Sequence, residues 1–136
     1  MDAAAFVNSV ISRPWQADGL HCWELTRLCQ REVFGRELPA VLVAPESLLA
    51  KVRLMRRRHD FEGWTVSDRP CHGAVCFLTR KGHGDADAAC HSGTWLALDG
   101  PGALLHVDHP QGVAFESLAE LKLRNWSEPS FHIPIR

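Results

Sequence analysis

HSGTWLALDGPGALLH, His91 to His106, is the stretch that decides how the second half of the chain folds. Two extended runs, His91 to Leu98 and Ala103 to Val107, flank Asp99, Gly100, Pro101 and Gly102, residues that supply turn conformations, so the stretch predicts an antiparallel hairpin. Upstream, the period turns extended from Trp64 onward. Ala74 to Leu78 is a short apolar run of strand formers, followed by the polar, glycine-bearing stretch Lys81 to Asp87. Downstream, Ser117 with Glu120 matches a capping box for a short helix through Leu123. Phe131 to Ile135 predicts a final edge strand in which Pro134 limits pairing.

The first half reads as helices. Asp2 caps a helix whose apolar residues Ala3, Phe6, Val7, Val10 and Ile11 form one stripe of a 3.6-residue period, and Pro14 ends it. After a loop through Asp18 and Gly19, Leu25, Leu28, Cys29 and Val33 recur at helical spacing until Gly35 stops them and Pro39 forbids resumption. Cys22 therefore opens a helix. A third helix is predicted from Pro45, with Leu48, Leu49, Val52 and Met55 inward and Arg53, Arg56, Arg57 and Arg58 on a solvated face. Helices first and strands second imply an α+β fold, N-terminal helices packed on an antiparallel β-sheet, in a single domain over residues 1–136.

With 136 residues, 46% of them hydrophobic, the chain is long enough to bury a core without disulfides or metal. A formal charge of −1 gives no field for attracting nucleic acid or an anionic membrane. No apolar run approaches the ~20 residues a bilayer crossing needs, and the start carries no export signal, so the expectation is a protein made in the cytoplasm. Five cysteines, an odd number, are then expected as free thiols.

A cysteine at a helix N-terminus meets the positive end of the helix dipole and free backbone N–H groups, which favour thiolate. Cys22 is the best-placed nucleophile. It needs a base, and the hairpin offers His91 and His106, which share a face in any antiparallel register whose paired residue numbers sum to an odd value. In that constellation His91 pairs with Cys22 and protonates the leaving amine, while His106 holds the His91 ring. If Leu98 pairs with Ala103, His91 faces Pro110, so the triad requires a longer loop or a bulge.

RPWQADGLHCWELTRLCQREVFGRELP, Arg13 to Pro39, resembles the nucleophile segment of the NlpC/P60 family of papain-like cysteine peptidases, particularly its phage-tail branch. CHGAVCFLTR, Cys71 to Arg80, is similar to the strand that usually begins Pro-Gly-Asp. His91 to His106 resembles the family's His-x-Gly strand, turn and terminal His, and Gly112 to Pro134 follows the pattern expected after it. Leu42 to Asp68 has no clear counterpart. The resemblance implies a papain-like fold with Cys22 as nucleophile, His91 as general base and acid, and His106 as the residue that orients it. It implies cleavage of amide bonds in peptidoglycan stem peptides, typically beside D-glutamate and a diamino acid, through a thioester acyl-enzyme, with no metal or cofactor. Its phage-tail branch implies tail or injection-apparatus proteins as partners, and action at the cell wall from a virion tail.

Four positions depart from that pattern around the substrate and oxyanion. The family's Asp before the nucleophile is His21, its Tyr after the proline is Trp15, and its Ser-Gly after the nucleophile is Trp23 and Glu24. Trp15 donates only through its indole N–H, and His21 has the means to donate to an oxyanion or to repel an imidazolium. Two other classes compete with an enzyme. One is a zinc site among Cys71, His72, Cys76, His83, Cys90 and His91, against which the spacing speaks, because no tight two-residue Cys knuckle occurs. The other is a structural tail protein that keeps the peptidase fold, with Trp15, Trp23, Trp64, Trp95 and Trp126 as interface anchors or core.

Overall fold

In the computed structural model, which describes residues 1–38, 40, 64–80 and 91–135, local signals set each helix. Asp2 accepts a hydrogen bond from the Ala5 N–H at 2.8 Å and starts α1 (Ala3–Val10), whose Ala3, Phe6, Val7 and Val10 are buried. The helix stops before Pro14, at Ile11, and Ser12 takes a left-handed φ of 70°. α2 (Cys22–Phe34) ends at Gly35, whose φ of 66° lets its N–H and that of Arg36 reach the Arg31 and Gln30 carbonyls. The capping box of Ser117 and Glu120 opens α3 (Leu118–Leu123). The helix expected from Pro45 and the polar stretch Lys81 to Asp87 lie outside the described residues.

Six strands form one antiparallel sheet among the described residues: β1 (Trp64–Ser67), β2 (Val75–Leu78), β3 (His91–Leu96), β4 (Ala103–Asp108), β5 (Gly112–Glu116) and β6 (Ser130–Pro134). Their order is β1-β6-β2-β3-β4-β5. The chain is therefore α+β, with an open antiparallel sheet. The final strand corrects one expectation, since β6 lies between β1 and β2 instead of at an edge. Pro134 is tolerated there as the last residue of β6, opposite Trp64 at the start of β1. At the other end of the sheet, Ser12 and Arg13 exchange backbone hydrogen bonds with Val113, which covers β5.

Each sheet face carries its own layer. α1 and α2 pack Phe6, Val10, Leu25 and Cys29 on Leu96, Leu105, Val107 and Val113. Leu121 of α3, with Trp126, packs on Trp95, Leu104, Cys76 and Phe131 from the other side. Strand alternation assigns every site residue to one of these faces.

Gly93, in the His-x-Gly motif, owes its identity to the β3–β4 approach. A Cβ there would stand 2.7 Å from the Leu105 carbonyl oxygen and 2.8 Å from Leu104 Cδ1. The backbone atom has no room to yield. Gly93→Ala is expected to destabilise the fold by about 1–3 kcal/mol, read as a lower urea midpoint at unchanged slope.

Candidate active site

His91 begins β3 and His106 lies on β4. Ala103 pairs with Leu96, not Leu98, so the loop runs from 97 to 102 and the paired numbers sum to an odd value, as for Thr94 and Leu105. This is the longer loop that the hairpin reading required. It puts both rings on the α3 face, with His91 Nε2 2.7 Å from His106 Nδ1 and the rings at 81°. They are 3% and 0% exposed.

The chain of contacts continues into β5. Glu116 pairs with Leu104, which places its carboxylate on the His106 face, and Oε1 lies 2.6 Å from His106 Nε2. Arg124, the C-cap of α3, grips the same carboxylate in a bidentate pair at 2.7 and 2.9 Å. Burial alone would raise the Glu116 pKa, but hydrogen bonds from His106 and Arg124, with their charges, bring it down to about 2. An ionised carboxylate only accepts. In its neutral form His106 donates from Nε2 to that carboxylate and accepts at Nδ1, and a neutral His91 then donates from its own Nε2 and carries its lone pair on Nδ1.

Trp126 covers the imidazole pair. Its ring stacks on His91 at 4.4 Å and 18°, and the Arg80 guanidinium sits 4.1 Å from its centroid. Arg80 bonds Asp108 at 3.0 Å, and Asp108 lies 3.6 Å from Arg124. Arg80 Nε, Asp108 Oδ1 and Trp126 Nε1 are buried without a hydrogen bond. Such atoms cost roughly 1–3 kcal/mol each, so this cluster is not an economical way to stabilise a fold.

Cys22 is the first residue of α2 and is 2% exposed; its N-cap, His21, makes no side-chain cap hydrogen bond. Thr26 Oγ1 lies 3.1 Å from Ser92 Oγ, and Gln30 Nε2 bonds Thr94 Oγ1 at 3.2 Å. Four helical residues rise about 6 Å and two strand residues about 6.6 Å, so helix and strand run in step. By the same step Cys22, one turn before Thr26, falls level with a point one residue before His91, the first residue of β3. The two leave the sheet on different faces: α2 covers Ser92 and Thr94, whereas the His91 ring lies against Trp126. The buried imidazole on the α2 face is His132, whose Nε2 lies 2.9 Å from Ser130 Oγ and whose ring meets Phe77 edge-on.

The remaining predicted residues separate. Trp15 is half-buried and meets His109 edge-on at 5.4 Å. Trp23 is 3% exposed and stacks on Phe77 in a small cluster with Leu38 and Val75, so it is core. His72 accepts a hydrogen bond from the Ala97 N–H at 2.9 Å. Burial pushes the Cys29 thiol up to about 12 against a hydrogen bond from Thr94, and pushes Cys76 well above the usual thiol range. Among the described residues no three His, Cys, Asp or Glu side chains are placed to hold one metal ion, and no helix is long and apolar enough to cross a membrane. Cys90 and His83 lie outside those residues. A groove of about 400 Å³, lined by Leu118, Lys122, Trp126 and Glu128 among others, opens beside Trp126.

Glu116, Arg124, Asp108 and Arg80 were not among the sequence candidates. Their signal was parity: Glu116 is the polar residue that β5 turns toward His106, but the short run Gly112 to Glu116 had not been read as a strand. No protein-family model matches the chain, and no curated protein matches it in sequence.

The depressed Glu116 pKa makes stability depend on pH. A lowered folded-state pKa contributes fully above the ordinary value of 4.5 and is lost as pH falls toward about 2. Its contribution is about 1–2 kcal/mol, discounted because Arg124 is partly in water. Glu116→Gln is expected to flatten the acid limb of stability between these pH values in urea titrations.

Proposed function

We propose that this chain is a cysteine peptidase of papain-like, NlpC/P60 type that hydrolyses amide bonds in peptidoglycan stem peptides, with Cys22 as nucleophile, His91 as general base and acid, and His106 as its orienting partner. The observation that carries this reading is the hydrogen-bonded line from Glu116 through His106 to His91; the Thr26–Ser92 contact, which sets α2 along β3, supports Cys22 as the residue that starts near the same end of the strand. Cys22 stands at the N-terminus of α2, while burial raises the Cys29 and Cys76 thiols out of competition.

In acylation the Cys22 sulfur bonds to the carbonyl carbon as the thiol proton passes to His91 Nδ1. The carbon–nitrogen bond then breaks as that proton goes to the leaving amine. Water, giving a proton to His91, attacks the thioester; the acid departs and the proton returns to Cys22. No cofactor takes part. Helix N–H groups at Cys22 are available to the oxyanion, with His21 beside them and Trp15 at the edge of the preceding loop. Stem peptide is the substrate, and a tail or injection apparatus is the carrier to the wall.

The burial of Cys22, His91 and His106 favours a second reading, a tail or injection-apparatus assembly protein that retains the fold without turnover. Thiol chemistry separates the two. Under the peptidase reading, iodoacetamide near neutral pH alkylates Cys22 before Cys29, Cys76 and Cys71, and Cys22→Ala abolishes release of amine from stem peptides. His91→Ala is expected to slow Cys22 alkylation by about tenfold or more, whereas His132→Ala leaves it unchanged. Equal thiol rates without turnover would favour assembly, and an effect of His132→Ala alone would move the base to the α2 face.

A further inference from the structure

The polar contacts around the two imidazoles close into a ring. From His91 they run through His106, Glu116, Arg124, Asp108 and Arg80 to Trp126, and Trp126 returns to His91 by stacking. Every buried polar side-chain atom without a hydrogen bond among the described residues, namely Arg80 Nε, Asp108 Oδ1 and Trp126 Nε1, belongs to this ring. The arrangement gives up hydrogen bonds in order to hold two guanidinium groups in fixed places, which points to a role in orientation.

We propose that Arg124 and Arg80 are positioning residues that fix the tautomer and plane of His91 from two sides. Arg124 acts through Glu116: its bidentate grip presents Oε1 to His106 Nε2, which sets His106 as donor at Nε2 and acceptor at Nδ1. His91 then keeps its proton on Nε2 and its lone pair on Nδ1. Arg80 acts through Trp126: anchored on Asp108, its guanidinium lies against the indole that stacks on His91. Asp108 ties the two arms, since Arg80 reaches Oδ2 and Arg124 lies nearest Oδ1. Among the described residues, the charged and titratable groups joined to the imidazole pair through these contacts are Arg80, Arg124, Asp108 and Glu116. Two cations and two anions surround the imidazole pair within this ring. That His91 then serves as a base rests on the peptidase reading; the tautomer does not.

The test is long-range nitrogen-15 correlation spectroscopy of the imidazoles, with Arg124→Met, Arg124→Lys and Arg80→Gln compared with the parent chain at equal stability by urea titration. The parent is expected to show Nε2–H on both His91 and His106. Arg124→Met is expected to give mixed His106 tautomers, with Arg124→Lys restoring the parent pattern in part. Arg80→Gln is expected to keep the tautomers and to shift the ring-current-displaced His91 signals. Cys22 alkylation, followed against pH, is expected to slow about tenfold in Arg124→Met with an altered profile. Parent tautomers retained in folded Arg124→Met, or unmoved His91 signals in Arg80→Gln, would overturn the proposal. If the tautomers respond as expected while Cys22 never outpaces the other thiols, the ring stands and the peptidase reading fails. If Arg124→Met does not fold, Arg124→Lys and Glu116→Gln carry the same readout.

Discussion

A half-buried carboxylate that only accepts hydrogen bonds sets the donor pattern of the neutral imidazoles beyond it. Arg124 keeps Glu116 ionised, and once Glu116 must accept, each imidazole has one permitted orientation of donor and acceptor. Two histidines in contact are otherwise ambiguous, because either ring nitrogen of either residue can hold the proton. Here the ambiguity is removed at the far end of the line, on β5, and passed across β4 to the first residue of β3. The site is therefore a property of the sheet's register. Shifting β5 by one residue against β4 would turn Glu116 to the other face and leave both rings without a fixed donor pattern.

The layering makes a separate demand. α2 lies on one face and the imidazoles on the other, so the proposed nucleophile and base have only the end of the sheet at which to meet. Thr26 and Gln30 tie α2 to Ser92 and Thr94 by side-chain hydrogen bonds, which fix its axial position more sharply than the apolar contacts of Leu25 and Cys29 do alone. Buried threonine and glutamine in a helix are costly unless satisfied, and here the satisfaction sets where the helix begins relative to β3. Gly93 belongs to the same logic, since its missing side chain lets β4 approach β3 where His106 must reach His91.

What was legible in the sequence was what neighbouring residues decide. Asp2, Gly35 and the Ser117–Glu120 box each act within one helical turn, and each is found at the helix end where its chemistry places it. The shared face of His91 and His106 was also legible, because parity survives any odd register. The register itself was not: whether Leu96 or Leu98 meets Ala103 depends on the span of the loop from 97 to 102, which no local preference sets. For the same reason β6 was read as an edge. Its neighbour β1 comes from 66 residues earlier in the pairing of Val66 with His132, and nothing within the Phe131 to Ile135 stretch announces it. Trp23 was placed by its sequence neighbour Cys22, yet a helix turns about 100° per residue, so adjacent residues face different surroundings. The stack on Phe77 follows from that rotation.

The distribution of unsatisfied atoms bears on whether this arrangement is selected for stability or for chemistry. If the cluster existed only to hold α3 on the sheet, Leu121 and Trp126 against Trp95, Leu104 and Phe131 would serve, and apolar residues in place of Arg80 and Asp108 would pack there without orphaned donors. The ion pairs instead surround the one place in the described structure where two imidazoles share a proton, and they leave their own hydrogen bonding incomplete to do so. An arrangement that is poor as packing and well directed as a proton relay is what the proposed peptidase chemistry would need and what the assembly reading leaves without a purpose.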